Sequence, residues 1–213
     1  MSKIKIAPSI LSADFSKLAE EIKTIENHSD YIHVDVMDGH FVDNITFGPV
    51  VVESIKTKVP LDCHLMIEKP VKYAEIFAEY CKRISFHAEL FENNSMELKE
   101  AIKKIKSFKV EVGVAINPDK SLDILLPVID EVDYILIMSV YAGFGGQKFM
   151  PEVLKKIEQL RTLYKFKKDI SIDGGINQDT AKMAIKAGAN VLVAGSSIFS
   201  RNDRKEAIEE LRG

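Results

Sequence analysis

Strict alternation of short β-rich runs with helical segments constrains this chain more than any single motif. The β-rich runs are Ile4 to Ala7, Tyr31 to Val36, Leu61 to Met66, Ile84 to His87, Val110 to Ile116, Tyr134 to Ser139, Ile170 to Asp173 and Val191 to Ala194. Helical period and start signals fill the gaps: Phe15 to Asn27 after Ser12, Pro49 to Lys58, Pro70 to Tyr80, Ser95 to Phe108, Ser121 to Ile129, Pro151 to Tyr164, Asn177 to Ala187 closed by Gly188, and Arg204 to Leu211. Such an order calls for parallel strands joined by helical crossovers, and eight units of this kind close into a single-domain (β/α)8 TIM barrel over residues 1–213. The rival is an open doubly wound sheet. It would carry a Gly-rich dinucleotide fingerprint after its first strand, where this chain reads PSILSADF.

A barrel keeps its active site at the C-terminal ends of its strands, and those ends are crowded with polar groups here. Period-two alternation in HVDVMDG puts His33, Asp35 and Met37 on one face, while Val34 and Val36 face the helices. The third strand aligns His64 with Met66; the others bring His87, Met138, Ser171 with Asp173, and Ser9 beyond Pro8. A lone histidine in such a place is more simply a satisfied core residue. As a set, His33, Asp35, His64 and Asp173 suit one divalent transition metal, zinc first, with iron, manganese or cobalt also able to occupy two nitrogens and two carboxylates. Without a cation the carboxylates would repel each other in a low-dielectric cavity. His87 stays open between backing a ligand and plain packing, and the three methionines are more simply barrel filling than site components.

Small residues gather after the last three strands: Gly143, Phe144, Gly145 and Gly146; Gly174 and Gly175; Gly195 and Ser196. Together they suit a phosphate held by backbone N–H groups, although ordinary turns explain any one pair. The nearest arginine in sequence is Arg201. A net charge of −3 offers no basic surface for nucleic acid. No apolar stretch approaches the roughly 20 residues of a membrane helix. No signal-peptide pattern opens the chain, and Cys63 and Cys81 form no paired motif, so a cytoplasmic, reducing setting is expected.

The segments APSILSADF, HVDVMDGHFVDNITFGP, DCHLMI, GVAINP, GFGGQKF, DGGI and VAGSS, in order from residue 7 to 197, closely resemble ribulose-phosphate 3-epimerases. The resemblance implies a metal-dependent barrel that interconverts D-ribulose 5-phosphate and D-xylulose 5-phosphate by two-base proton transfer through a metal-stabilised enediolate. It implies Asp35 as proton acceptor and Asp173 as proton donor, both also metal ligands with His33 and His64. Substrate contacts would come from Ser9, His64, Gly143, Phe144, Gly145, Gly146, Gly174, Gly175, Gly195 and Ser196. The expected partners are a small sugar phosphate and further copies of the chain, with neither nucleic acid nor membrane.

Two departures from the family pattern stand out: Tyr141 and Ala142 where Asn-Pro is usual before GFGGQ, and Asp43 where HFVPN is common. Loss of that proline predicts a looser approach to Gly143, with the Tyr141 ring either covering substrate or packing on the rim. Restoring the pair would then lower KM. Epimerases of six-carbon ketose phosphates such as allulose 6-phosphate, with the same metal and acid/base set, are the nearest alternative. Decarboxylases with a DxKxxD strand motif fit less well, since HVDVMDG has no lysine. A silent phosphosugar-binding barrel would not need two opposed carboxylates.

Overall fold

The structure, a computed structural model, describes residues 3–92 and 94–213. Its strands are β1 (Lys5–Pro8), β2 (Ile32–Met37), β3 (Leu61–Met66), β4 (Arg83–His87), β5 (Glu111–Ile116), β6 (Tyr134–Met138), β7 (Asp169–Asp173) and β8 (Val191–Ala194). All are parallel, in the order β1-β8-β7-β6-β5-β4-β3-β2. The two ends of that sheet meet. Ser9 bridges His33 in parallel register, and the N–H groups of Asp30 and Tyr31 both donate to the Ile6 carbonyl, so the sheet closes into the expected barrel.

Among the described residues, eight α-helices lie around it: α1 (Leu18–Ile25), α2 (Pro49–Ser54), α3 (Pro70–Ala78), α4 (Ser95–Lys106), α5 (Leu154–Thr162), α6 (Gln178–Ala187), α7 (Ser196–Phe199) and α8 (Arg204–Arg212). Proline occupies the first position of α2 and α3, where its missing N–H costs nothing. Asn177 and Thr180 form a reciprocal cap at the start of α6, which Gly188 ends at φ 114°. The fifth crossover differs from expectation. Instead of a helix over Ser121 to Ile129 there are two 3-10 turns, Leu122–Ile124 and Leu126–Val128, because Pro127 cannot donate to a preceding carbonyl. The first crossover likewise begins with a 3-10 turn, Phe15–Lys17, and the short α7 was not anticipated. Among the described residues, no helix is long and apolar enough to cross a membrane.

Strand alternation sorts the side chains into two environments. Ile32, Val34, Val36, Leu61, Cys63, Leu65, Ile170 and Ile172 point outward and join the helices in the main apolar core. The inward positions are unusually polar. Arg83, wholly buried, lies with its guanidinium carbon 3.7 Å from the Tyr134 ring centre and 4.5 Å from that of Tyr31. Tyr134 fits there only because residue 113 is glycine: a Cβ on Gly113 would run into its ring. The Tyr134 hydroxyl donates to Asp62 Oδ1 at 3.1 Å, which carries this buried polar layer up to the strand ends.

Candidate active site

At the C-terminal ends of the strands a cavity of about 640 Å³ opens. Ser9, Asp35, Gly143, Phe144, Gly145, Gly146, Asp173, Gly174, Gly175, Gly195 and Ser196 all line it, as do Met37, Met66 and Met138. His33 and His64 lie beneath its floor, fully buried. Arg201 is directed elsewhere, to Glu206 and Glu210 on α8.

One donor atom from each of His33, Asp35, His64 and Asp173 lies within 4.8 Å of the other three. His33 Nε2 is 3.4 Å from Asp35 Oδ1 and 3.9 Å from Asp173 Oδ2, and His64 Nδ1 is 3.5 Å from Asp35 Oδ1. A tetrahedron of zinc bonds has edges of about 3.4 Å, so a small contraction would bring the set to bonding distance. The orphaned atoms support that fit. His33 Nε2 and His64 Nδ1 are buried with no hydrogen-bond partner among the described residues, and an ion would satisfy both. His33 is oriented from behind by Asp62, whose Oδ2 lies 3.1 Å from Nδ1 and holds the proton there, leaving the Nε2 lone pair towards the site.

Electrostatics point the same way. Burial pushes the His33 imidazole down, but Asp35 and then Asp62 outweigh it and raise it well above its ordinary value. The space between these carboxylates therefore attracts positive charge. Burial also pushes Asp35 up, but His33 and then His64 hold it far below the carboxylate range. Asp173 moves the other way, to about 7, through burial and the repulsion of Asp35. Opposite displacements of this kind mark two carboxylates that one cavity cannot hold ionised together unless a cation joins them. Burial, with the opposing pull of Asp35 outweighed, takes His64 down to about 4, so its imidazole is neutral as a ligand must be. Asp62 is pushed up by burial, yet Arg83 foremost, with His33 and Tyr134, holds it at about 2.

Asp62 was not singled out by sequence reading, whereas His87 was left open between two roles. Asp62 lies on the same inward face as His64, so the alternation in DCHLM could have found it. His87 Nε2 is 2.9 Å from His64 Nε2, which makes it a neighbour of a candidate ligand rather than simple filling. The expectation of a loose loop is corrected. Ala142 N–H donates to Asn117 Oδ1 at 3.0 Å, Asn44 Nδ2 donates to the Gly143 carbonyl at 2.7 Å, and Gln147 Nε2 donates to the carbonyls of Tyr141 and Phe144. Side chains thus supply the restraint that a proline would have given. Tyr141 is 49% exposed and lines the cavity.

Comparison with known proteins bears on the same residues. The sequence profile of the ribulose-phosphate 3 epimerase family matches residues 5–199. Ribulose-phosphate 3-epimerase of Bacillus subtilis is 49% identical over 218 residues, covering 99% of each chain. That of Synechocystis is 48% identical over 220 residues, covering 100% of this chain and 95% of its own. The structure of KGPDC from Streptococcus mutans superposes with a TM-score of 0.75 at 14% identity, covering 98% of this chain and 95% of that one. At that identity the likeness is one of fold alone.

Proposed function

The chain belongs to the ribulose-phosphate 3-epimerase family, and from that premise we propose that it inverts C3 of D-ribulose 5-phosphate, to and from D-xylulose 5-phosphate, with Asp35 and Asp173 as the two proton carriers. The protein is an isomerase. Inversion beside a carbonyl needs one group to remove the C3 proton from one face and another to return a proton to the opposite face. The observation that carries the assignment is the convergence of Asp35, from β2, and Asp173, from β7, on one cavity above two imidazoles whose site-facing nitrogens have no hydrogen-bond partner among the described residues.

In the forward direction Asp35 takes the C3 proton, and the electron pair left behind is delocalised onto the C2 carbonyl oxygen. Asp173 then protonates C3 from the other side as the carbonyl re-forms. The Ser9 hydroxyl donates to Asp35 Oδ2 at 2.5 Å and fixes the plane of that carboxylate. Held by His33, Asp35, His64 and Asp173, a divalent ion, zinc before iron, manganese or cobalt, would supply positive charge beside the negative charge that develops. Gly174, Gly175, Gly195 and Ser196 line the same cavity and suit the substrate's phosphate, with Gly143 to Gly146 offering further backbone contacts to the substrate. Both cysteines are free, which supports a reducing, cytoplasmic setting.

The test is epimerisation in heavy water with ribulose 5-phosphate, and with allulose 6-phosphate in parallel. One deuterium should enter at C3 of the product. Asp35→Asn and Asp173→Asn should each abolish turnover, and elemental analysis should find about one divalent ion per chain. Early product that keeps its original C3 hydrogen would contradict two carriers, and a strong preference for allulose 6-phosphate would overturn the substrate.

A further inference from the structure

A continuous line of hydrogen bonds, which the proton transfer above does not use, joins His64 to the loop that closes the cavity. His64 Nε2 is 2.9 Å from His87 Nε2, and His87 Nδ1 is 3.1 Å from Glu89 Oε2. The other Glu89 oxygen, Oε1, accepts from Asn117 N–H at 2.5 Å. Asn117 Oδ1 accepts in turn from Ala142 N–H at 3.0 Å, one residue before Gly143. The line is buried and anchored: the Glu89 side chain is 8% exposed, and Lys156 Nζ donates to the carbonyls of Asn117 and Pro118, pinning the end of β5.

The direction of the line is set at Glu89. An ionised carboxylate only accepts, so the proton of a neutral His87 sits on Nδ1 and its Nε2 is an acceptor. His64 Nε2 must then donate to it. That leaves the His64 lone pair on Nδ1, the orphaned atom facing Asp35. Among the described residues the other polar group beside the ring is Asp35, 3.5 Å from Nδ1 on the side an ion would occupy, so from behind only His87 makes this choice for His64, as Asp62 makes it for His33. At the other end the line depends on a feature of this chain. A proline at position 142, as in the usual family pattern, has no N–H to give Asn117.

We propose that Glu89 and Asn117 are positioning residues: Glu89, through His87, fixes which nitrogen of His64 faces the metal site, and Asn117 ties that same carboxylate to the loop over the substrate. Ion and loop then share one strut, and whatever orders the loop strengthens the hold on the ion, with the converse equally true. The proposal rests on the metal reading of the site.

Glu89→Gln is the sharpest variant because it keeps shape and reverses direction. If the amide oxygen goes on accepting from Asn117 N–H, its NH2 group faces His87 Nδ1 and forces that nitrogen to accept. His87 Nε2 then donates to His64 Nε2, and the proton of His64 moves onto the atom meant for the ion. If the amide flips, the contact to Asn117 is lost instead. Zinc affinity, measured on the full chain against a chromophoric chelator, should fall about 10–100-fold. Nitrogen-15 spectra of histidine-labelled, zinc-loaded wild type should show the proton on Nε2 of His64 and on Nδ1 of His87, and this reading holds even if the variant does not fold.

Asn117→Ala, which cuts the far end without supplying a proline's restraint, should raise KM several-fold with a smaller change in kcat and leave both tautomers as in wild type. A wild-type spectrum with the opposite tautomers, or Glu89→Gln matching wild type in both zinc affinity and KM, would overturn the proposal. Unchanged KM in Asn117→Ala would overturn the loop half of it. Failure of wild type itself to take up zinc would instead remove the metal reading on which the strut rests.

Discussion

Replacing Asp62 by Asn tests whether the polar interior of the barrel is held together by charge. Asp62 and Arg83 are both buried, at 1% and 0% exposure, with Arg83 Nε 3.8 Å from Asp62 Oδ1. The three guanidinium nitrogens have no hydrogen-bond partner among the described residues. Glu111 and Asp169 also stand 3.8 Å from Arg83, but they are partly exposed and shield it less. Asparagine keeps the shape of Asp62 and one acceptor, and removes the charge. Breaking a buried pair in this way costs about 3–5 kcal/mol. The two flanking carboxylates put the value near the lower end, about 3 kcal/mol, or a fall in Tm of about 6–12 °C for a chain of this size. The assay is thermal unfolding of metal-free protein, so that ion binding does not enter. Arg83→Met in the Asp62→Asn background should recover most of the loss, because the stranded charge is gone. A metal-free Asp62→Asn protein within about 2 °C of wild type, or a double variant worse than the sum of the singles, would refute the reasoning.

Two further outcomes follow from backbone and charge. Gly174 has φ +117°, and a Cβ there would lie 2.5 Å from Val140 Cγ2 and 2.9 Å from Val140 N. Gly174→Ala should cost about 1–3 kcal/mol in a urea melt and raise KM for the sugar phosphate, since it displaces the turn after Asp173; unchanged stability would sink the argument. Asp30 sits where β1 meets β2: burial pushes its carboxyl up, but Ile6 N–H, then Arg212 and Lys3, outweigh this and hold it below its ordinary value. A pKa lower in the folded state means stability that is full above about pH 5 and is lost as pH falls through the folded value. Asp30→Asn should therefore flatten the acid limb of stability against pH, and an unaltered limb would show that Asp30 contributes nothing there.

The eight-fold alternation was legible because each strand states its own period, and the strand bounds differ from expectation by only a few residues. The same period separated Val34 and Val36 from His33 and Asp35, so the four residues that the structure brings within 4.8 Å of one another could be grouped before any contact was known. Two kinds of feature resisted. One is the pairing of buried charges: Tyr134 reaches Asp62 from 72 residues away, and Lys5 reaches Asp169 across 164. Those partners are set by the stagger of strands around the barrel, which no local pattern records. The other is compensation.

Sequence shows a restraint removed, as where alanine stands for proline at position 142, and the natural inference is freedom. The structure answers with an amide 25 residues earlier, at Asn117, which uses the N–H that proline lacks. The two restraints differ physically. A proline stiffens its own dihedral whatever lies around it. The Asn117 contact holds only while the end of β5, Glu89 and His87 stay in register. The loop of this chain has thereby exchanged a local restraint for one that runs back to His64, so its order depends on side chains that also touch the candidate metal cluster.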